Sequence, residues 1–372
     1  MTGRSRRGWL NTPSPPGVAV DLAGLYRYLP SLETELRSSY AATRPGAPAT
    51  VRPYIDVNRE FTLRGGKRFR AILVLAGYHL TTGRAPRPVL RAAAAMEHFQ
   101  SWMLIHDDII DHSEERRGGP TVHRKMATAH RSAGREGSSE EYGMGIGITL
   151  GDLEEPYTVE AILGTRAPPA ARLAALGEYV RMTRLTAYGQ LLDIRNGTIP
   201  PAEVTERDVL DVHRLKSAIY TVVSPLRIGC LLGGAPPARL ADLDAVGTDL
   251  GIAFQLRDDV LGAGFDADES GKSANDLKEG KRTLLVVQAW KKGSPTDRAR
   301  LDRVLGNANA TPEDVERARE VLRATGSLEY SERRIAALTR RALARLAASR
   351  TIPGRGKPLL VEVADRLVHR RS

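Results

Sequence analysis

Asp107, Asp108 and Asp111 lie together in the run Met103-Leu104-Ile105-His106-Asp107-Asp108-Ile109-Ile110-Asp111. On a helix the carboxylates of Asp107 and Asp111, four residues apart, share a face, where like charges repel. Their neighbours are strongly apolar, so a freely solvated face is the poorer reading. Carboxylates crowded at the edge of an apolar helix call for a cation, and oxygen-only ligands suit Mg²⁺. A second such run is Ala253-Phe254-Gln255-Leu256-Arg257-Asp258-Asp259-Val260-Leu261, with Gln255 on the face of Asp258 and Asp259. Two acidic pairs in apolar helices predict facing helices that share metal ions.

Cations alternate with these acids. Gly65-Gly66-Lys67-Arg68-Phe69-Arg70 opens a helix, Arg116-Arg117-Gly118-Gly119-Pro120 follows the first acidic run, and Lys216, Lys272 and Lys281 come later. The chain has 46 Arg and only 9 Lys, so a lysine in such a segment is a marked choice. Mg²⁺ held by few carboxylates keeps open positions for substrate phosphates. Acids, cations and apolar walls together fit a diphosphate held through metals beside an apolar cavity.

The elements that must carry these groups are helices. Helical apolar spacing runs through 18–40, 69–80, 89–112, 170–196, 217–232, 238–261, 313–324 and 328–348, with a further amphipathic helix over 361–371. Sustained alternation is absent, and Pro and Gly clusters punctuate the pattern. Gly143 to Asp152 is the weakest helical segment because of its four glycines. Residues 132–141 read as a loop. A basic, flexible tail occupies 1–17, and one all-α domain accounts for 18–372. The tail lacks a hydrophobic signal region, and no apolar run approaches the roughly 20 residues of a membrane span, so the expected location is the cytoplasm. The single cysteine, Cys230, reads as a buried small hydrophobe. The net charge of +11 comes from arginines scattered along the whole chain, which argues against a nucleic-acid groove.

In this order the motifs resemble those of the trans-isoprenyl diphosphate synthases, the polyprenyl synthetase family, over roughly Gly65 to Thr283. Gly151-Asp152, Gly189-Gln190, Lys216-Ser217-Ala218, Tyr220-Thr221, Gly271-Lys272 and Glu279-Gly280-Lys281-Arg282-Thr283 add to the match. The resemblance implies an all-α fold, a single large helical bundle of the isoprenoid synthase type with a central apolar cavity, and a homodimer. It implies Mg²⁺ as cofactor, with Asp107, Asp111 and Asp258 as metal ligands and Asp108, Gln255 and Asp259 beside them in the catalytic set. Arg116, Lys216 and Lys272 would neutralise the leaving diphosphate of an allylic substrate. Lys67, Arg70 and Arg117, with Gln100 and Ser217, would complete the substrate contacts, the first three holding isopentenyl diphosphate. Trp102 and Met103, one turn before Asp107, would floor the tunnel and limit the product to roughly 15 to 20 carbons. His106 and His123 read as structural.

Three departures from the family pattern stand out. Gly262 replaces a third aspartate, Gln100 replaces a histidine, and Gly151-Asp152-Leu153-Glu154-Glu155-Pro156 is unusually acidic and interrupted by proline. The competing readings are a class I terpene cyclase, a weakly active or regulatory subunit of a hetero-oligomeric synthase, and a basic nucleic-acid-binding helical protein. Only a synthase needs the Lys67 and Arg70 site.

Overall fold

The computed structural model describes residues 20–265 and 275–368. The tail 1–17, Gly271 and Lys272 therefore lie outside the described residues. The chain begins with α1 (Leu22–Tyr26), α2 (Leu29–Thr43), α3 (Arg52–Leu63), α4 (Phe69–Thr82) and α5 (Leu90–Ile110). A short antiparallel pair, β1 (Glu115–Arg116) and β2 (Gly119–Pro120), follows, with Glu115 opposite Pro120. Next come α6 (Val122–Ser132), α7 (Ser139–Leu163), α8 (Pro169–Thr198) and α9 (Glu206–Val212). A π-helical stretch, His213–Val223, continues into α10 (Ser224–Leu232), and α11 (Pro237–Gly262) and α12 (Asn275–Lys278) succeed it. The chain closes with α13 (Leu284–Lys292), α14 (Pro295–Asp302), α15 (Pro312–Ala324), α16 (Ser327–Ala348) and α17 (Lys357–Val368).

The expected all-α bundle is what forms. Helix α4 is apolar on every side, and such a helix belongs at the centre; Ala71 through Ala76 are all 0% exposed. It packs against α5 and α10, with α8, the π stretch and α11 beyond. Each large side chain buried there contributes about 1.5–3 kcal/mol. Helix 206–232 is 27 residues long and meets a bilayer span in length and mean hydropathy, but 72% of its most apolar window is buried within the bundle. It is a core helix. Cys230 is fully buried, with its thiol pushed up to about 11, as suits a packing residue.

Several boundaries differ from the periodicity. The first helical segment breaks between Tyr26 and Leu29, where Pro30 starts a new helix. The loop between α6 and α7 is shorter than 132–141, because Ser138 caps α7 by accepting from the Glu141 N–H. The glycine-rich 143–152 segment is helical throughout, and α7 even contains Pro156. Its acidity has a physical reason: Glu154, 0% exposed, accepts from Tyr40 Oη at 2.6 Å and pairs with His98 Nδ1 at 2.7 Å. That carboxylate ties α7 to α2 and α5.

Candidate active site

Helix α5 delivers three carboxylates to its own C-terminal end, where the helix dipole disfavours negative charge. Neighbouring elements supply the compensation. Lys216 Nζ, from the π stretch, lies 3.2 Å from Asp107 Oδ1 and 2.6 Å from Asp193 Oδ2 of α8. Gln190 Nε2, one turn before Asp193, donates to the same Asp107 oxygen at 3.3 Å. Lys281 Nζ lies 3.5 Å from Asp111, 3.2 Å from Asp276 and 2.7 Å from Glu279. Asp108 is 0% exposed, and Arg116 Nε donates to its Oδ1 at 2.8 Å. Asp108 thus anchors Arg116 of β1, while Asp107 and Asp111 share the cationic cleft.

The second acidic run ends α11 beside the same cleft. Gln255 Nε2 donates to Asp259 Oδ1 at 3.1 Å, and His213 Nε2 lies 3.0 Å from Asp259 Oδ2. Asp258 is half-buried. Ser217 is buried next to Lys216 in the π stretch. Gly262 has a local cause: a Cβ there would sit 1.8 Å from Asp276 Oδ2. Asp276 occupies the volume that a side chain at 262 would need.

Burial and charge compete at every one of these acids. Burial raises Asp107, yet Lys216, Lys281 and Arg116 together hold it below the usual carboxylate range. Burial and then Asp107 push Asp111 up, against Lys281 and Lys216. Burial, opposed by Arg116, carries Asp108 to about 6, and burial opposed by Lys281 does the same for Asp276. Burial alone would lower Lys216 and Lys281; the surrounding carboxylates raise both well above the ordinary lysine range.

One cavity opens on this cleft, and a second lies on the other side of the Tyr220–Thr221 step. A cavity of about 400 Å³ runs along α5 and α8, lined by Trp102, Met103, Ile110, Ala187 and Leu191, with Asp107, Gln190 and Lys216 at its polar end. Trp102 packs edge-on against Phe99, with ring centroids 5.9 Å apart. The second cavity, about 600 Å³, is lined by Lys67, Arg68, Arg70, Gln100, Arg117 and Thr221, and by Asp365 and Arg366 of α17. With its amide oxygen turned toward the guanidiniums, Gln100 accepts from Arg70 Nη1 at 3.1 Å and Arg117 Nη2 at 3.2 Å. Arg70 also donates to Thr221 Oγ1 at 2.9 Å and stacks 4.4 Å from the Tyr220 ring centroid. Tyr220 lines the apolar cavity and Thr221 the cationic one, so adjacent residues form a common wall.

Of the residues singled out from sequence, Asp107, Asp108, Asp111, Arg116, Lys216, Gln255 and Asp259 gather at the acidic cleft. Lys67, Arg70, Gln100 and Arg117 gather at the cationic cavity. His106 Nε2 lies 3.1 Å from the Ile148 carbonyl of α7, and its ring also lines the apolar cavity. Four further groups stand at the site without being evident in the motifs: Asp193, His213, Asp276 and Arg366. Asp193, three residues after Gln190 on one helix face, was detectable; the other three carried no signal of spacing.

Residues 53–322 match the polyprenyl synthetase family. The chain is 33% identical over 309 residues to a geranylgeranyl diphosphate synthase of Methanosarcina mazei, covering 82% of this chain and 86% of that protein. It is 31% identical over 318 residues to a geranylfarnesyl diphosphate synthase of Aeropyrum pernix, covering 82% and 91%. Among solved structures, the geranylgeranyl pyrophosphate synthase of Corynebacterium glutamicum, complexed with isoprenyl diphosphate and magnesium, superposes with a TM-score of 0.86 at 34% identity, covering 93% of this chain and 99% of that one. This chain belongs to the polyprenyl synthetase family. It is a trans-prenyltransferase of the prenyl diphosphate synthase class.

Proposed function

We propose that this enzyme condenses an allylic diphosphate with isopentenyl diphosphate in a Mg²⁺-dependent reaction, releasing a product of roughly 15 to 20 carbons. The observation that carries the reading is the shared wall between an acid-mouthed apolar cavity and a cation-lined one. The metal fits the acidic cleft on chemical grounds. The carboxylates of Asp107 on α5 and Asp193 on α8 converge there on one lysine, a hard-oxygen donor set. Among the described residues no three acidic, His or Cys side chains converge as a ready-made cage. Substrate phosphate oxygens would complete the shell, as Mg²⁺ prefers. Asp107, Asp111 and Asp258 would hold the metal, which supplies Lewis-acid stabilisation of the departing diphosphate.

The protein's own groups do the rest. Lys216 and Arg116 place positive charge beside the leaving diphosphate as the C–O bond ionises. Asp108 fixes Arg116, and Gln255 with His213 fixes Asp259. Lys67, Arg70 and Arg117 grip isopentenyl diphosphate in the second cavity, where these three and Arg366 outnumber Asp365, Arg68 being paired with buried Glu97, a balance suited to a trianion without metal. The apolar cavity receives the prenyl tail and excludes water from the allylic cation. Trp102 bounds it, and Trp102→Ala should lengthen the product. The exposed apolar face of α8, which includes Leu173 and Val180, supports a homodimer; Leu173→Glu should give a monomer in light scattering.

The test is product analysis by chain length with dimethylallyl, geranyl and farnesyl diphosphates, each with labelled isopentenyl diphosphate, with Mg²⁺ or with EDTA. Label should enter a product only with Mg²⁺ and both substrates. Hydrocarbon formed from the allylic diphosphate alone would establish a cyclase instead.

A further inference from the structure

The loop Gly65 to Arg70 and the β1–β2 hairpin carry between them four of the five cations of the second cavity, yet they are separated by the whole of α4 and α5 in sequence. The hairpin is anchored at its base, where Thr121 N–H donates to the Glu114 carbonyl at 3.0 Å and Thr121 Oγ1 to the Ser113 carbonyl at 2.9 Å. Its tip has a different holder. Arg64, just before Gly65, spends Nε and Nη2 on the two oxygens of Glu60, at 2.8 and 2.9 Å. The remaining Nη1 donates to the carbonyls of Arg116 at 3.1 Å and Pro120 at 2.8 Å, on either side of the turn. A guanidinium makes such a planar fork; an ammonium cannot.

The turn it grips is strained. Arg117 sits at φ +53°, a left-handed conformation unfavourable for a side-chain-bearing residue, followed by Gly118 at φ +72°. The Arg117 side chain then crosses to the other loop, its Cζ 3.5 Å from where a Cβ on Gly66 would stand. Arg116 is separately locked by a carboxylate, Asp108, whereas the Arg117 guanidinium donates to the neutral amide of Gln100. Release of the tip therefore displaces Arg117 far more than Arg116.

We infer that Arg64 is a positioning residue for isopentenyl diphosphate: it joins the hairpin tip to the Gly65–Gly66 turn and so aims Arg117 into the cavity without itself touching substrate. This rests on the assignment of that cavity to isopentenyl diphosphate. The experiment compares Arg64→Ala, Arg64→Lys and Arg117→Gln in the full-length enzyme by steady-state kinetics in both substrates. Arg64→Ala should raise the KM for isopentenyl diphosphate about tenfold, the size expected for one misplaced charge-assisted contact. The KM for the allylic diphosphate and kcat should change less than about threefold on the same reasoning. Millimolar guanidinium ion should restore the isopentenyl KM, a recovery that a general loss of packing would not show. Arg64→Lys, which keeps the charge but not the fork, should fall between wild type and alanine, and it serves if the alanine variant does not fold. An unchanged isopentenyl KM in a folded Arg64 variant, or an equal rise in both KM values without guanidinium rescue, overturns the inference. If Arg117→Gln leaves the isopentenyl KM unchanged, the assignment of the cavity fails instead.

Discussion

Gly189→Ala perturbs the site without removing any group that acts in it. Gly189 lies where α8 crosses the π stretch, and an added Cβ would stand 2.2 Å from Lys216 N and 2.6 Å from Lys216 Cα. Those are backbone atoms, so no side-chain rotation relieves the overlap. To reach an ordinary separation of about 3.5 Å the two helices must part by roughly 1 Å. Overpacking of this kind costs about 1–3 kcal/mol. The same displacement acts on Lys216 Nζ, which depends on distances of 3.2 Å to Asp107 and 2.6 Å to Asp193. A misplacement of about 1 Å near the reacting groups can cost about 100-fold in turnover. The assay pairs thermal melts with kcat under saturating substrates. Gly177→Ala is the control, on the same helix with nothing within 4 Å of its added Cβ, and it should stabilise by about 0.5–1 kcal/mol. Wild-type melting and turnover in Gly189→Ala, or an equal loss in Gly177→Ala, would refute the reasoning.

Asp107→Ala should lower turnover by orders of magnitude, read by product formation, while leaving the far-ultraviolet circular dichroism intact, because it removes a metal ligand and little core volume. Gly262→Asp, which restores the family's third aspartate, should reduce activity, since its Cβ would enter the space of Asp276 Oδ2 and disturb the Lys281 contact at 3.2 Å; higher activity would contradict this. Asp108, raised to about 6 mainly by burial, favours its neutral form in the folded state, so its contribution is present below the unfolded value near 4 and lost as pH rises through 6. Urea melts in EDTA should show wild type losing about 2 kcal/mol relative to Asp108→Asn between pH 4 and pH 7; a flat difference would count against it.

Much of the site was readable from local pattern. The acidic runs, the Gly65 to Arg70 loop and the rare lysines 216 and 281 are contiguous signals, and each now stands in the cleft or its neighbouring cavity. Periodicity also located the long helices, because a buried helical face must repeat at helical spacing. It failed at 143–152, where glycine propensity argued against a helix. Gly147 and Gly151 are there because a Cβ would meet Ile109 Cδ1 at 2.9 Å and His106 Nε2 at 2.4 Å. Close packing of α7 on α5 overrode propensity.

The sequence alone determined which chemistry was available: hard-oxygen acids for a metal, cations for diphosphates, and apolar helices to wall a cavity. Only the tertiary structure decided how those groups are shared out. It made Asp108 an anchor for Arg116, brought Asp193, Asp276 and His213 to the acids, and set Arg64 behind the hairpin. Such pairings depend on distances between helices far apart in the chain, and residue spacing along one helix carries no information about them.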